Sequence, residues 1–148
     1  MIYEFNPYFS KIKNKYLADV LENKKYSQGA ITKKFEKKIS KFLKIPYALA
    51  VPNGSIALLI SLMGLELKKG DEIILPTRSW IASAHAPSIL GLKIRFVDVF
   101  EDKPLIDYKK IEKAINNKTK AIMVVHLNGR YGNTSRINKI AKKYNVKV

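Results

Sequence analysis

The feature that most constrains this chain is an alternation. Short runs rich in Ile, Leu and Val, "YALAV" (47–51), "EIILP" (72–76), "KIRFVDV" (93–99) and "KAIMVVHL" (120–127), are separated by stretches whose apolar residues recur at helical spacing. Near-continuous apolar runs of strand length bury both faces, and strands joined through helices pair in parallel. The pattern predicts helices over 55–65, 80–90, 107–115 and 134–144, with glycine or Asn turns between elements. Two further helices are predicted ahead of the first strand. One runs over 8–22, with Phe9, Ile12, Tyr16, Val20 and Leu21 on one face, and the other over 32–43, with Phe35, Ile39, Phe42 and Leu43 aligned and Thr32 as its expected cap. "KKYSQGA" between them reads as a loop.

The expected fold is therefore α/β: part of a three-layer αβα sheet over 46–148, preceded by a helical segment over 1–45. The last eight residues, "AKKYNVKV", read as the close of a helix, a turn at Asn145 and the first residues of a new buried strand. That predicts a sheet left unfinished after the fourth αβ step, with apolar edges uncovered and a fold marginal by itself.

Composition narrows the chemistry. There is no cysteine, which excludes disulfides and thiolate metal sites and leaves metal binding to His85, His126 and carboxylates. The start, "MIYEFNPYFSKIKNKY", has no apolar segment of the secretory kind, and "IALLISLMGL" is far shorter than the ~20 residues that cross a bilayer. A soluble, cytoplasmic protein is expected. The net charge of +16 admits a nucleic-acid-binding reading, but the arginines are only Arg78, Arg95, Arg130 and Arg136, and the lysines are spread over every predicted helix. A lysine-solvated surface accounts for that distribution.

The two phosphate fingerprints that a βαβ layout suggests, G-x-G-x-x-G after the first strand and G-x-x-x-x-G-K-[ST], are absent from the sequence. "PNGSIAL" (52–58) leads into a helix whose first amides at Gly54, Ser55 and Ile56 can receive a phosphate, with the Ser55 hydroxyl beside them; the same residues also serve as a plain turn and N-cap. "LPTRSWIASAHA" (75–86) sets Trp80, the only tryptophan, at the next strand end, where it either packs between helix and sheet or stacks on a flat ligand. Together the two strand ends suit a phosphorylated planar ring, because ligands of open α/β sheets gather at the carboxyl ends of strands. Asp98, Glu101 and Asp102 read as a solvated turn before Pro104, and His85 and His126 as satisfied core histidines.

From about Tyr26 onward the sequence resembles the N-terminal part of the DegT/DnrJ/EryC1/StrS sugar aminotransferases, carried by "NGSIAL", "GDEIILP", "WIASAHA", "KTKAIMVVHLNG" and their spacing. "TRSWIASAHA" and "VHLNGR" look most like members that make 4-amino sugars on nucleotides, perosamine synthases among them. The resemblance implies the large domain of a fold type I enzyme that uses pyridoxal phosphate to move an amino group, from glutamate in the expected case, to a 4-keto nucleotide sugar for surface polysaccharide. It implies that Gly54 and Ser55 bind the cofactor phosphate, that Trp80 stacks on the pyridine ring and that Ser83 lies beside it. Gly29, in "YSQGAIT", would lie near the mouth of the site. His126, Asn128 and Gly129 would line the pocket, with Arg130 toward a substrate phosphate.

The family's Schiff-base lysine and the acidic partner of the ring nitrogen have no counterpart in residues 1–148. The chain alone is therefore expected not to transaminate. A homodimer is implied for complete members, and a non-catalytic piece docking on a relative or a separate second half is the rival reading.

Overall fold

The computed structural model describes residues 13–22, 27 and 29–148, and these divide into two compact units, 1–50 and 51–148. The first unit holds α1 (Lys13–Glu22) and α2 (Ala30–Leu43). The predicted beginning of the first helix, with Phe9 and Ile12, lies outside the described residues, as do Tyr26 and Gln28 of the loop. Helix α2 starts two residues before the expected cap: Gly29, in extended conformation, occupies the N-cap without a side-chain bond, and Thr32 is inside the helix.

The run 47–51 does not form a strand. A strand exists only by the ladder bonds of a neighbour, and here the Ala50 amide instead donates to Glu36 Oε1 at 2.9 Å while Tyr47 stands 87% exposed.

The second unit is built on a parallel three-stranded sheet of order β2-β1-β3. Its elements run α3 (Gly54–Met63), β1 (Glu72–Pro76), α4 (Ala82–Ile89), β2 (Lys93–Val97), α5 (Tyr108–Ala114), β3 (Thr119–Ile122) and α6 (Thr134–Lys143). The central strand β1 is buried along its whole length, as its unbroken apolar sequence requires. Its side chains alternate between two cores. Ile73 and Leu75 meet Leu62 of α3 and Ala86 of α4 on one face, and Ile74 meets Ile111 of α5 with Ile137 and Ala141 of α6 on the other. These are the three layers the sequence predicts.

Three strands are shorter than expected, β2 ending at Val97 rather than Val99. Strand β3 stops at Ile122, although the Met123 amide still donates to Ile74 O at 2.9 Å, and the segment 146–148 contributes a single parallel bridge, Ala121 to Lys147. No helix among the described residues is long and apolar enough to cross a membrane.

Sheet and helices are joined by turns that only certain residues permit. Gly91, between α4 and β2, has φ +68° and its carbonyl accepts from the Gly70 amide at 3.0 Å. A Cβ there would stand 3.0 Å from Lys69 Cγ.

Candidate functional site

Helix α3 leaves through a short turn into β1, so it runs back along the sheet and its N-terminus opens on the side of the strands' carboxyl ends. Helix α4 starts just beyond the end of β1 and packs on α3. The segment after β3 leaves at the same edge. Three candidate groups are thereby gathered where open α/β sheets take ligands.

At the first, Asn53 caps α3: its Oδ1 accepts from the Ile56 amide at 3.0 Å, and its carbonyl accepts from Ala57. No group among the described residues accepts from the amides of Gly54 and Ser55, both exposed, and a Cβ on Gly54 would meet nothing within 4 Å. Two unpaired amides, an exposed hydroxyl and open space at a positive helix end are the donor set that a phosphate ester needs. The sequence reading assigned Ile56 to that set as well; the structure spends its amide on the cap.

At the second, the chain between β1 and α4 turns Trp80 outward, 76% exposed. The alternative that Trp80 packs between helix and sheet is thus excluded for the described residues, and its ring face is open to a planar partner. Ser83 is buried one turn on, and its hydroxyl shares a hydrogen bond of 2.7 Å with Ser79 Oγ. The Trp80 carbonyl accepts from the Ser83 amide at 3.0 Å, which ties the tryptophan's backbone to the start of α4. Arg78 in the same turn, which sequence reasoning did not single out, is exposed and forms no ion pair among the described residues.

At the third, β3 is followed by a tight turn, Leu127–Gly129, in which Asn128 (φ 54°) and Gly129 (φ 72°) are both left-handed. Asn128 and Arg130 are exposed there. His126 is not a core residue. It is exposed, yet its Nδ1 accepts from the Gly132 amide at 3.0 Å, and its ring stacks on Tyr131 with centroids 5.4 Å apart. His85 is also exposed, on α4, because that helix turns Ala82, Ser83, Ala86 and Pro87 inward. Gly29 belongs to the other unit, where its carbonyl accepts from the Lys33 amide.

Other polar features serve the fold. Asp98, Glu101 and Asp102 are exposed, with Asp98 paired to Lys110 at 3.2 Å, and no group of acidic residues and histidines suited to a metal occurs among the described residues. Glu112 is held below the ordinary carboxylate range by hydrogen bonds from Lys143 and Tyr144 and by the lysine's charge, on the α5–α6 face. Sequence reading missed Glu72, buried at the amino end of β1. Burial pushes its carboxyl up, but hydrogen bonds from Arg95, Thr119 and Asn116 and the charge of Arg95 outweigh this and hold it low.

With this geometry in place, comparison with known proteins gives a consistent answer. The sequence model of the DegT/DnrJ/EryC1/StrS aminotransferase family matches residues 7–148. The chain is 37% identical over 132 residues to 3-oxo-glucose-6-phosphate:glutamate aminotransferase of Bacillus subtilis, covering 89% of this chain and 30% of that protein. It is 39% identical to GDP-perosamine synthase of Escherichia coli O157:H7, covering 82% of this chain and 34% of that one.

Among solved structures, the aminotransferase from Psychrobacter cryohalolentis superposes with a TM-score of 0.88 at 32% identity, over 95% of this chain and 36% of its own. The E. coli GDP-4-keto-6-deoxy-D-mannose-3-dehydratase with bound hydrated PLP gives 0.89 at 32% identity, over 95% and 38%. The chain spans about a third of the length of the relatives it matches, and its mixed α/β fold is that of the fold type I pyridoxal-phosphate enzymes.

Proposed function

The chain belongs to the DegT/DnrJ/EryC1/StrS aminotransferase family, and from that premise we propose that residues 46–148 are the phosphate-cradling and ring-stacking part of a pyridoxal-phosphate-dependent sugar aminotransferase. The whole protein would move an amino group from glutamate to a 4-keto nucleotide sugar in the cytoplasm, as a dimer, for surface polysaccharide. The observation that carries the reading is the pairing, at one edge of the sheet, of unpaired amides at Gly54 and Ser55 with the outward ring of Trp80.

The residues present fit the cofactor. Gly54 and Ser55 would donate to its phosphate, aided by the positive end of α3, and Asn53 keeps that end in place by binding Ile56. Trp80 would cover one face of the pyridine ring and keep water from it. Ser83, buried and bonded to Ser79, supports the turn that presents Trp80. Arg130 and Asn128 would meet the anionic part of the sugar nucleotide, for which a guanidinium with no acidic partner among the described residues is suited. Bound pyridoxal phosphate supplies the electron sink on which amino groups are exchanged. The part proposed for these residues is binding and orientation, since the family's lysine motif is not among them.

The test uses pyridoxine 5′-phosphate, which has the ring and phosphate but no aldehyde and cannot react with the chain's many surface lysines. Saturable quenching of Trp80 fluorescence, relieved by inorganic phosphate and weakened in Ser55→Ala, is the expected result. Quenching that is linear in ligand, or indifferent to phosphate and to Ser55→Ala, would count against the site.

A further inference from the structure

The loop that presents Asn128 and Arg130 is closed by a side chain. Between His126 and Gly132 the chain reverses through two left-handed residues, Asn128 and Gly129, with Gly129 N donating to His126 O and Arg130 N to Leu127 O, both at 3.1 Å. Those turn bonds reach only to Arg130. The far end is held on two sides: the Gly132 carbonyl accepts from the Thr134 amide at 2.7 Å, and the imidazole Nδ1 accepts from the Gly132 amide at 3.0 Å while its ring lies on Tyr131 at an interplanar angle of 18°. Tyr131 in turn shares a hydrogen bond with Thr134 at the start of α6.

Gly132 is buried, and a Cβ there would stand 3.3 Å from Val124 Cγ1 and 3.5 Å from His126 Nδ1. A side chain there would meet the ring at ordinary contact distance and would need Val124 to give by a few tenths of an ångström.

An imidazole that accepts at Nδ1 is neutral and carries its proton on Nε2. Protonation converts Nδ1 to a donor, so two N–H groups then face each other and the contact is lost. Histidine is the side chain that changes charge in the physiological range. Tyr131 is the titratable side chain packed on the ring, while Leu58 and Ser61 of α3, Val124 after β3, Thr134 of α6 and Val148 face the cavity of about 370 Å³ that His126 also lines.

We propose that His126 is a positioning residue, a proton-operated clasp whose neutral Nδ1 fixes the 127–132 loop and thereby sets Asn128 and Arg130 to receive the diphosphate of the sugar nucleotide. The substrate half of this inference rests on the function proposed above; the clasp itself does not.

The experiment is NMR of the ¹⁵N-labelled chain. Long-range imidazole spectra should show the Nε2–H tautomer, and the amides of Gly132, Asn128 and Arg130 should shift with the same midpoint as His126 Nδ1. In His126→Asn, whose Oδ1 replaces the acceptor but does not titrate, those amides should keep their high-pH positions at every pH. In His126→Phe, which keeps the stacked ring without the acceptor, they should lie near the low-pH positions. An Nδ1–H tautomer, or loop amides indifferent to the His126 titration in the unaltered chain, would overturn the clasp.

Inorganic pyrophosphate, added above the titration midpoint, tests the substrate half. Binding at Arg130 that is retained in His126→Asn and severalfold weaker in His126→Phe supports it. No perturbation of Arg130 by pyrophosphate in any variant overturns it and leaves the clasp standing.

Discussion

The Thr119 hydroxyl donates to Glu72 Oε1 at 2.8 Å across the start of neighbouring strands β3 and β1, and the same oxygen receives Asn116 Nδ2 at 2.7 Å and Arg95 Nε at 2.8 Å. One carboxylate oxygen therefore ties the start of β1 to the middle of β2, the start of β3 and the turn before β3. Glu72→Ala removes at once the acceptor of the buried Thr119 hydroxyl and of the exposed Asn116 and Arg95 side chains, and should cost about 2 kcal/mol of unfolding free energy, mostly through the buried donor left unsatisfied. Urea denaturation of the two chains at neutral pH measures it.

The same carboxylate sets a pH dependence. Its folded-state pKa is lowered from the ordinary 4.5, so the folded state binds its proton less tightly than the unfolded chain does. Stability from this source is complete above 4.5 and is lost as pH falls through the lower folded value. Glu72→Gln keeps an acceptor but no charge, so the acid side of its stability profile should flatten relative to the unaltered chain. Denaturation midpoints taken from pH 7 downward would show parallel profiles if Glu72 were not the group responsible.

How much of this was legible beforehand depends on the range of the interaction. "EIILP" declared itself as a central strand because burial on both faces leaves no room for polar residues. "YALAV" has the same composition and forms no strand, since a ladder is made by the partner, and sequence periodicity does not contain the partner. Glu72 reads as a solvated charge at the head of a strand, and the groups that bury it stand 23, 44 and 47 residues away. The capping turn at Asn53–Ser55 was legible because it depends on local sequence alone, and His126 was misread as a core residue because its partner Gly132 is fixed by a loop with two left-handed residues.

The glycine turns make a paired prediction. At Gly91, φ is +68° and an added Cβ would meet Lys69 Cγ at 3.0 Å, so Gly91→Ala should destabilise by about 1–2 kcal/mol even after the lysine shifts. Gly64, the C-cap of α3, has φ −65° and its Cβ would make ordinary contacts at 3.5 and 3.6 Å. Gly64→Ala should be neutral or stabilise by about 0.4–1 kcal/mol through the unfolded chain's lost freedom. Equal effects at the two positions would show that backbone conformation is not what distinguishes them.

Ile111 of α5 and Ile137 of α6 are both fully buried, at 0% exposure, in the core under Ile74. Truncation of either to Ala should cost about 2–5 kcal/mol, and Ile137→Val about 0.5–1.5 kcal/mol, because little around them can collapse into the space. The double Ala variant should depart from additivity, since both side chains belong to one cluster. Thermal unfolding followed by circular dichroism reads all four chains. A cost at Ile137 below that of Ile137→Val would mean that α6 is not docked as described.

Trp80 separates binding from folding. With 76% of its surface exposed, it contributes little to the folded state, and Trp80→Ala should leave the denaturation midpoint within the equivalent of about 0.5 kcal/mol. Stacking of an aromatic ring contributes about 0.5–1.5 kcal/mol beyond the area buried, so removing it should weaken pyridoxine 5′-phosphate binding by up to about tenfold. Trp80→Phe should recover most of that loss, because a phenyl ring still presents a flat face. Equilibrium dialysis, read by the ligand's own absorbance, is the measurement, as the variants have no tryptophan to report. A Trp80→Ala chain that unfolds early would show that the indole packs against the protein, and one that binds the ligand undiminished would remove Trp80 from the site while leaving the phosphate contacts of Gly54 and Ser55 to be judged by Ser55→Ala.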